Sequence, residues 1–257
     1  MSAQTVEPGT WLRRFHSAPP DAPLLVVLPH AGGSASHYQA FSGRLAGRAE
    51  VLAVQYPGRQ DRYREEPVAD LPTLARRVAR ALEPLADRRI ALFGHSMGAL
   101  VAFETALLLE RENRGPAALF VSARRAPVGP PRERVHLRDD AGLLAELRAL
   151  GGTDERLLAE EELLRLYLPV VRADYRALET YRCEPGAAVG CPVTGLAGDA
   201  DPRVAVDDVA AWSRHTTNRF DLRVFSGGHF YLDQRGAEVA DVVAGVLAGA
   251  AQTRERR

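Results

Sequence analysis

Short apolar runs rich in Val, Ile and Leu recur along the chain: Leu24 to Leu28, Val51 to Gln55, Ile90 to Phe93, Ala118 to Val121, Val193 to Ala197 and Leu222 to Phe225. Continuous runs of this length predict strands buried on both faces. Between them the apolar positions change to a helical spacing, as at Leu74, Val78, Leu82 and Leu85. Helices are predicted over Tyr38 to Leu45, Leu74 to Leu85, Ala99 to Glu110, Val206 to Ser213 and Val239 to Leu247. Strand and helix in alternation imply a mostly parallel central sheet with helices on both faces, an α/β fold.

One segment breaks the rhythm. Asp139 to Arg182 carries helical patterns (GLLAELRAL, then DERLLAEEELLRLYLPVVRADYRALETY) with no strand between them. It is expected to be a helical insertion between two strands. Ligands of open α/β sheets bind beyond the carboxyl ends of the strands, so an insertion there is also expected to serve as a lid. No repeat, low-complexity tract or linker interrupts the rest, and residues 1–257 are expected to form a single domain with only the last few residues (TRERR) fraying.

Composition narrows the field mainly by exclusion. At 46% hydrophobic, 257 residues suffice for a sizeable core. No apolar run approaches the roughly 18 to 20 residues that span a bilayer. The start, MSAQTVEPGTWLRR, lacks the basic-then-apolar layout of a signal peptide, so a cytoplasmic protein with no membrane partner is expected. The 33 basic residues balance 33 acidic ones, which leaves no overall field toward nucleic acid. All 33 basic residues are arginine, which removes lysine nucleophiles and Schiff-base chemistry. Cys183 and Cys191 are too few for a disulfide framework or a zinc site and are expected to be packing or loop residues.

The strand at Ile90 to Phe93 runs directly into Gly94-His95-Ser96-Met97-Gly98, and the helical stretch ALVAFETALLLE follows at once. A serine at the apex of a strand-to-helix turn adopts strained backbone angles, and small flanking residues let strand and helix approach. The helix amino terminus below it favours developing negative charge. In that setting Ser96 is the candidate nucleophile; the bare pattern Gly-x-Ser-x-Gly would be weak without it.

A serine hydroxyl needs a base to take its proton. Of seven histidines, His229 stands in Ser226-Gly227-Gly228-His229-Phe230, past the final strand and before the last helix, where the order Ser, acid, His places the base. His95 adjoins the nucleophile but is expected to point elsewhere. His30 is expected to pack or orient its loop, and His16, His136 and His215 to be surface or packing residues. The acid is expected after the penultimate strand, in Gly198-Asp199-Ala200-Asp201-Pro202. Asp201 lies farther into that loop and Pro202 stiffens the turn after it, so Asp201 is assigned to the triad and Asp199 to accepting backbone hydrogen bonds. The oxyanion of the intermediate needs two donors. They are expected to be the backbone N–H of Met97 and that of Ala31, in the glycine-rich loop Pro29-His30-Ala31-Gly32-Gly33-Ser34.

With these residues in place the sequence resembles the type II thioesterases, stand-alone editing hydrolases of the α/β-hydrolase superfamily that accompany polyketide synthases and nonribosomal peptide synthetases. The resemblance runs from about Trp11 to Leu247. It is carried by Pro29-His30-Ala31-Gly32-Gly33-Ser34, Gln55-Tyr56-Pro57-Gly58-Arg59-Gln60-Asp61-Arg62, Gly94-His95-Ser96-Met97-Gly98-Ala99 and Gly227-Gly228-His229-Phe230. It implies an α/β-hydrolase fold and removal of stalled or aberrant acyl chains from the phosphopantetheine arm of an acyl or peptidyl carrier protein. A monomer with no metal and no bound cofactor is expected, since the phosphopantetheine belongs to the partner. Integrated chain-releasing thioesterase domains typically carry their aspartate after the strand that follows the nucleophile helix. Here that place reads Val121-Ser122-Ala123-Arg124-Arg125-Ala126-Pro127, without an acid, which favours the stand-alone type.

Carrier proteins of this kind are usually acidic, and Arg59, Arg62, Arg124 and Arg125 are candidates for a docking face. Two rival functions stay open at this point. A carboxylesterase or lipase acting on oxygen esters uses the same triad, and a noncatalytic α/β-hydrolase-like binding protein would need no triad.

Overall fold

The computed structural model describes residues 8–129, 133–151 and 160–255. A seven-stranded sheet forms its centre, in the order β1-β3-β2-β4-β5-β6-β7, with every neighbouring pair parallel except β1 with β3. The strands are β1 (Leu12–Arg14), β2 (Leu24–Leu28), β3 (Glu50–Val54), β4 (Ile90–His95), β5 (Leu119–Ser122), β6 (Val193–Gly198) and β7 (Phe220–Phe225). Six coincide with the predicted apolar runs to within two residues at each end. The exception is β1: Leu-Arg-Arg has no apolar run and pairs antiparallel with β3 at the sheet edge, where Arg14 also pairs with Glu50.

The helices are α1 (Pro8–Trp11), α2 (Gln39–Leu45), α3 (Leu71–Ala81), α4 (Met97–Arg111), α5 (Asp140–Leu150), α6 (Glu161–Thr180), α7 (Val206–Ala210) and α8 (Tyr231–Glu255). Alternate residues of the strands sort into two layers, as the pleat requires. Val26, Leu28, Leu92 and Val121 pack with α3 and α4, whereas Leu25, Val27, Phe93 and Phe120 pack with α2 and α8. Helix α3 begins three residues before its predicted start because Asp70 caps it, accepting the Thr73 N–H at 2.8 Å. The predicted Val206 to Ser213 helix splits into α7 and a 3₁₀ turn over Ala211–His215.

Between β5 and β6 the chain forms α5 and α6 and no strand among the described residues. The part of the predicted insertion at 152–159 lies outside the described residues, as do the first seven residues and the last two of the tail. Among the described residues no helix is long and apolar enough to cross a membrane. Cys183 and Cys191 are free thiols.

Candidate active site

Ser96 sits between the last residue of β4 and the first of α4, at φ 54° and ψ −116°. Strand and helix close on each other so tightly that a Cβ on Gly94 would lie 2.1 Å from the Gly98 carbonyl oxygen, and one on Gly98 would lie 2.0 Å from the Leu28 oxygen. Only glycine fits either place. The strained serine is held from below by its own N–H, which donates to the Ser122 carbonyl at 2.8 Å.

The carboxyl ends of β6 and β7 bring two further groups to this turn. His229 Nε2 lies 3.0 Å from Ser96 Oγ, and His229 Nδ1 lies 2.7 Å from Asp201 Oδ2. A neutral ring with its proton on Nδ1 donates to the carboxylate and accepts the serine O–H, the arrangement a general base requires. The Asp201 side chain is completely buried, and its Oδ1 accepts the N–H groups of Arg203 at 2.8 Å and Val204 at 3.2 Å. Asp199 does different work: its Oδ1 accepts the Gly227 N–H at 2.9 Å and so anchors the loop that carries His229.

The other histidines have partners of their own. His95 is fully buried with Nδ1 2.9 Å from Ser122 Oγ, which in turn lies 2.6 Å from Tyr231 Oη. His30 Nδ1 lies 3.2 Å from Tyr38 Oη, and its ring meets Phe230 edge-on at 4.8 Å. Burial, with the neighbouring histidines adding to it, pushes the pKa of both rings well below the ordinary 6.5. The His95 ring lies 5.5 Å from that of His229, and as a neutral imidazole it would not oppose a positive charge there. His16 meets Ser42 Oγ at 3.1 Å, His215 meets the Ala187 carbonyl at 2.8 Å, and His136 pairs with Glu179.

The loop after β2 turns back on itself through a hydrogen bond from Gly33 N–H to the His30 carbonyl at 2.9 Å. Gly32 N–H donates to Asp174 Oδ2 at 2.7 Å. The amides of Gly32 and Gly33 are thus engaged, whereas those of Ala31 and Met97 have no hydrogen-bond acceptor among the described residues. A cavity opens on Ser96 and His229, walled by Val135, Leu150, Tyr175 and Leu178 and by the charged side chains of Arg124, Arg125, Glu133, Glu146 and Arg203. Another cavity, at Pro23, Ala91 and Ala117, lies at the opposite, amino-terminal ends of the strands, remote from Ser96.

Of the four arginines expected at a docking face, two are buried inside the protein, and Arg124 and Arg125 stay partly exposed beside the Ser96 cavity. Arg59 and Arg62 are 5% and 6% exposed: the first pairs with Asp174, and the second grips Glu65 through two 2.6 Å bonds beneath the ring of Trp11. Arg125 pairs with Glu133. Arg124 lines the cavity, where burial brings its pKa down to about 10. The residues around Arg59 carry no sign of this, because its carboxylate partner lies 115 residues away.

Comparison with known proteins adds the family. The thioesterase-domain family matches residues 23–246. The thioesterase PikA5 of Streptomyces venezuelae is 52% identical over 241 residues, 93% of this chain and 86% of the relative. Among solved structures, the type II thioesterase BorB from the borrelidin biosynthetic cluster superposes with a TM-score of 0.86 at 46% identity, over 95% of this chain and 100% of that one. YbtT, a type II thioesterase from the yersiniabactin NRPS/PKS pathway, gives a TM-score of 0.85 at 32% identity, over 93% and 99%. On sequence, fold and site together, the chain belongs to the thioesterase family, among the type II thioesterases of polyketide and nonribosomal peptide clusters.

Proposed function

We propose that the protein hydrolyses acyl groups from the phosphopantetheine thiol of an acyl or peptidyl carrier protein, clearing stalled or aberrant chains. The observation that carries this reading is the hydrogen-bonded line Ser96–His229–Asp201 at the strand-to-helix turn of a type II thioesterase chain. Ser96 Oγ attacks the thioester carbonyl while His229 Nε2 takes its proton, and Asp201 steadies the imidazolium without taking the proton itself. The tetrahedral oxyanion is met by the N–H groups of Met97 and Ala31. Collapse expels the carrier thiolate, which receives the proton from His229. Water, deprotonated by the same histidine, then attacks the acyl-enzyme and releases the acid and the free serine.

The insertion acts as a lid on this reading: Glu146 and Leu150 of α5, and Tyr175 and Leu178 of α6, bound the cavity beside Ser96 that would take the acyl chain. The only prosthetic group with a place in this chemistry is the phosphopantetheine of the carrier. The enzyme works as a cytoplasmic monomer beside its synthase.

The test is a comparison of kcat/KM on an acyl-carrier thioester and on an oxygen ester of the same acyl group. A clear preference for the carrier thioester is expected. A strong preference for the oxygen ester would replace this reading with that of a carboxylesterase, and no turnover of either would favour a noncatalytic binding protein.

A further inference from the structure

The motif Gln55-Tyr56-Pro57-Gly58-Arg59 takes no part in the steps above, yet it carries one of the most buried charges in the protein. Arg59 leaves the loop after β3 and pairs with Asp174 on α6, while its Nη1 donates to the Pro57 carbonyl at 2.8 Å. Asp174 is itself 1% exposed, and the oxygen that meets Arg59 is also the one that accepts the Gly32 N–H at 2.7 Å. One carboxylate oxygen thus joins three segments: the loop after β2, the loop after β3 and the long helix of the insertion.

The bond falls at a sensitive point. His30 to Gly33 form a turn with Gly32 in its third position at φ +74°, so the Ala31–Gly32 peptide is the central unit of that turn. The Ala31 N–H belongs to the preceding peptide, His30–Ala31, so its place depends on where the turn as a whole is held. Asp174 accepts the Gly32 N–H and ties the turn to α6. Helix α6 presses on the same place, since a Cβ on Gly32 would lie 2.4 Å from Tyr167 Oη and 3.0 Å from Val171 Cγ2. Gln55, from the same motif as Arg59, fixes the far end of the loop by accepting the Ala35 N–H at 2.8 Å.

We propose that Asp174 is a positioning residue for the oxyanion hole, fixing the backbone that presents the Ala31 N–H, with Arg59 aiming its carboxylate. This rests on the reading of Ala31 as an oxyanion donor. A donor displaced from the oxyanion weakens the transition state and leaves the ground-state thioester nearly as well bound, so the loss belongs in kcat.

Asp174→Ala and Asp174→Asn are compared with wild type for thermal unfolding, for kcat and KM on an acyl-carrier thioester, and for affinity toward a trifluoromethyl ketone that adds reversibly to the serine as a tetrahedral adduct. Asp174→Ala is expected to lower kcat by roughly 10- to 100-fold, within the cost of losing one oxyanion donor. KM stays within about threefold and the ketone binds more weakly by the same factor as kcat falls. Asp174→Asn, which keeps an oxygen for the Gly32 N–H, retains more of both. A folded Asp174→Ala enzyme with wild-type kcat, a loss confined to KM, or undiminished ketone affinity would overturn the proposal. Should Asp174→Ala fail to fold, the same split in Asp174→Asn decides it. Ser96→Ala, assayed in parallel, separates the two readings. If it abolishes turnover while the Asp174 variants behave as wild type, only the positioning role fails; if it turns over normally, the triad reading fails and this one with it.

Discussion

Asp201 meets His229 at 2.7 Å from the side of the ring opposite Ser96, and its second oxygen is occupied by the N–H groups of Arg203 and Val204. The carboxylate therefore cannot turn away, and the imidazole is held with one nitrogen on the acid and the other on the serine.

Asp201→Asn should accordingly be the costlier of the two aspartate changes. An amide in that place can present its NH2 to Nδ1 and so favour the tautomer with its proton on Nε2, which cannot accept the serine proton. A loss in kcat of up to about 10⁴-fold is expected. Asp199→Asn keeps an oxygen for the Gly227 N–H and should lose far less. Steady-state kinetics on an acyl-carrier thioester compares them, and equal losses would show that Asp201 holds no special place.

The fold depends on two missing side chains at the nucleophile turn. Gly98→Ala puts a methyl group 2.0 Å from the Leu28 carbonyl oxygen and 2.7 Å from that of Pro29, and backbone cannot yield as a side chain can. Overpacking of this kind costs about 1 to 3 kcal/mol, which lowers Tm by about 2 to 12 °C in a chain of this size. Because Pro29 opens the loop that carries Ala31, turnover should fall as well. A variant with unchanged Tm would mean that α4 and β2 can separate freely.

His30 and His95 should make stability depend on pH. Both are neutral when folded because burial lowers their pKa well below 6.5, whereas the unfolded chain takes up protons near 6.5. Below that value the unfolded state binds more protons than the folded one, so stability falls as pH drops through 6.5 toward the folded values. Above about pH 7.5 the two groups contribute no slope. Stability is therefore expected to be lower at pH 5.5 than at pH 7.5. Urea unfolding at the two pH values measures it; equal stability, or greater stability at pH 5.5, would contradict burial of two neutral rings.

What the sequence made legible follows a physical divide. Six strands and the Ser96 turn could be read because their signals are local: an unbroken apolar run, and glycines spaced around a serine where strand becomes helix. His229 and Asp201 could be placed because each directly follows a strand whose carboxyl end must reach the same edge of the sheet. β1 escaped notice because an edge strand paired through its backbone needs no apolar pattern. The burial of Arg59 is not legible in the sequence because its carboxylate partner, Asp174, is distant along the chain. A partial signal for that partner does exist: Val171, Asp174, Tyr175 and Leu178 share one helical face, and an acid on an otherwise apolar stripe needs a cation or an N–H to bury against.

The central claim is that Ser96 carries the acyl group from carrier thiol to water. Its most direct test is the rate at which Ser96→Ala releases acid from an acyl-carrier protein, followed by the mass of the carrier. A fall in kcat on the order of 10⁶-fold is expected, with the carrier remaining acylated. Carrier deacylated at a rate within tenfold of wild type would contradict it.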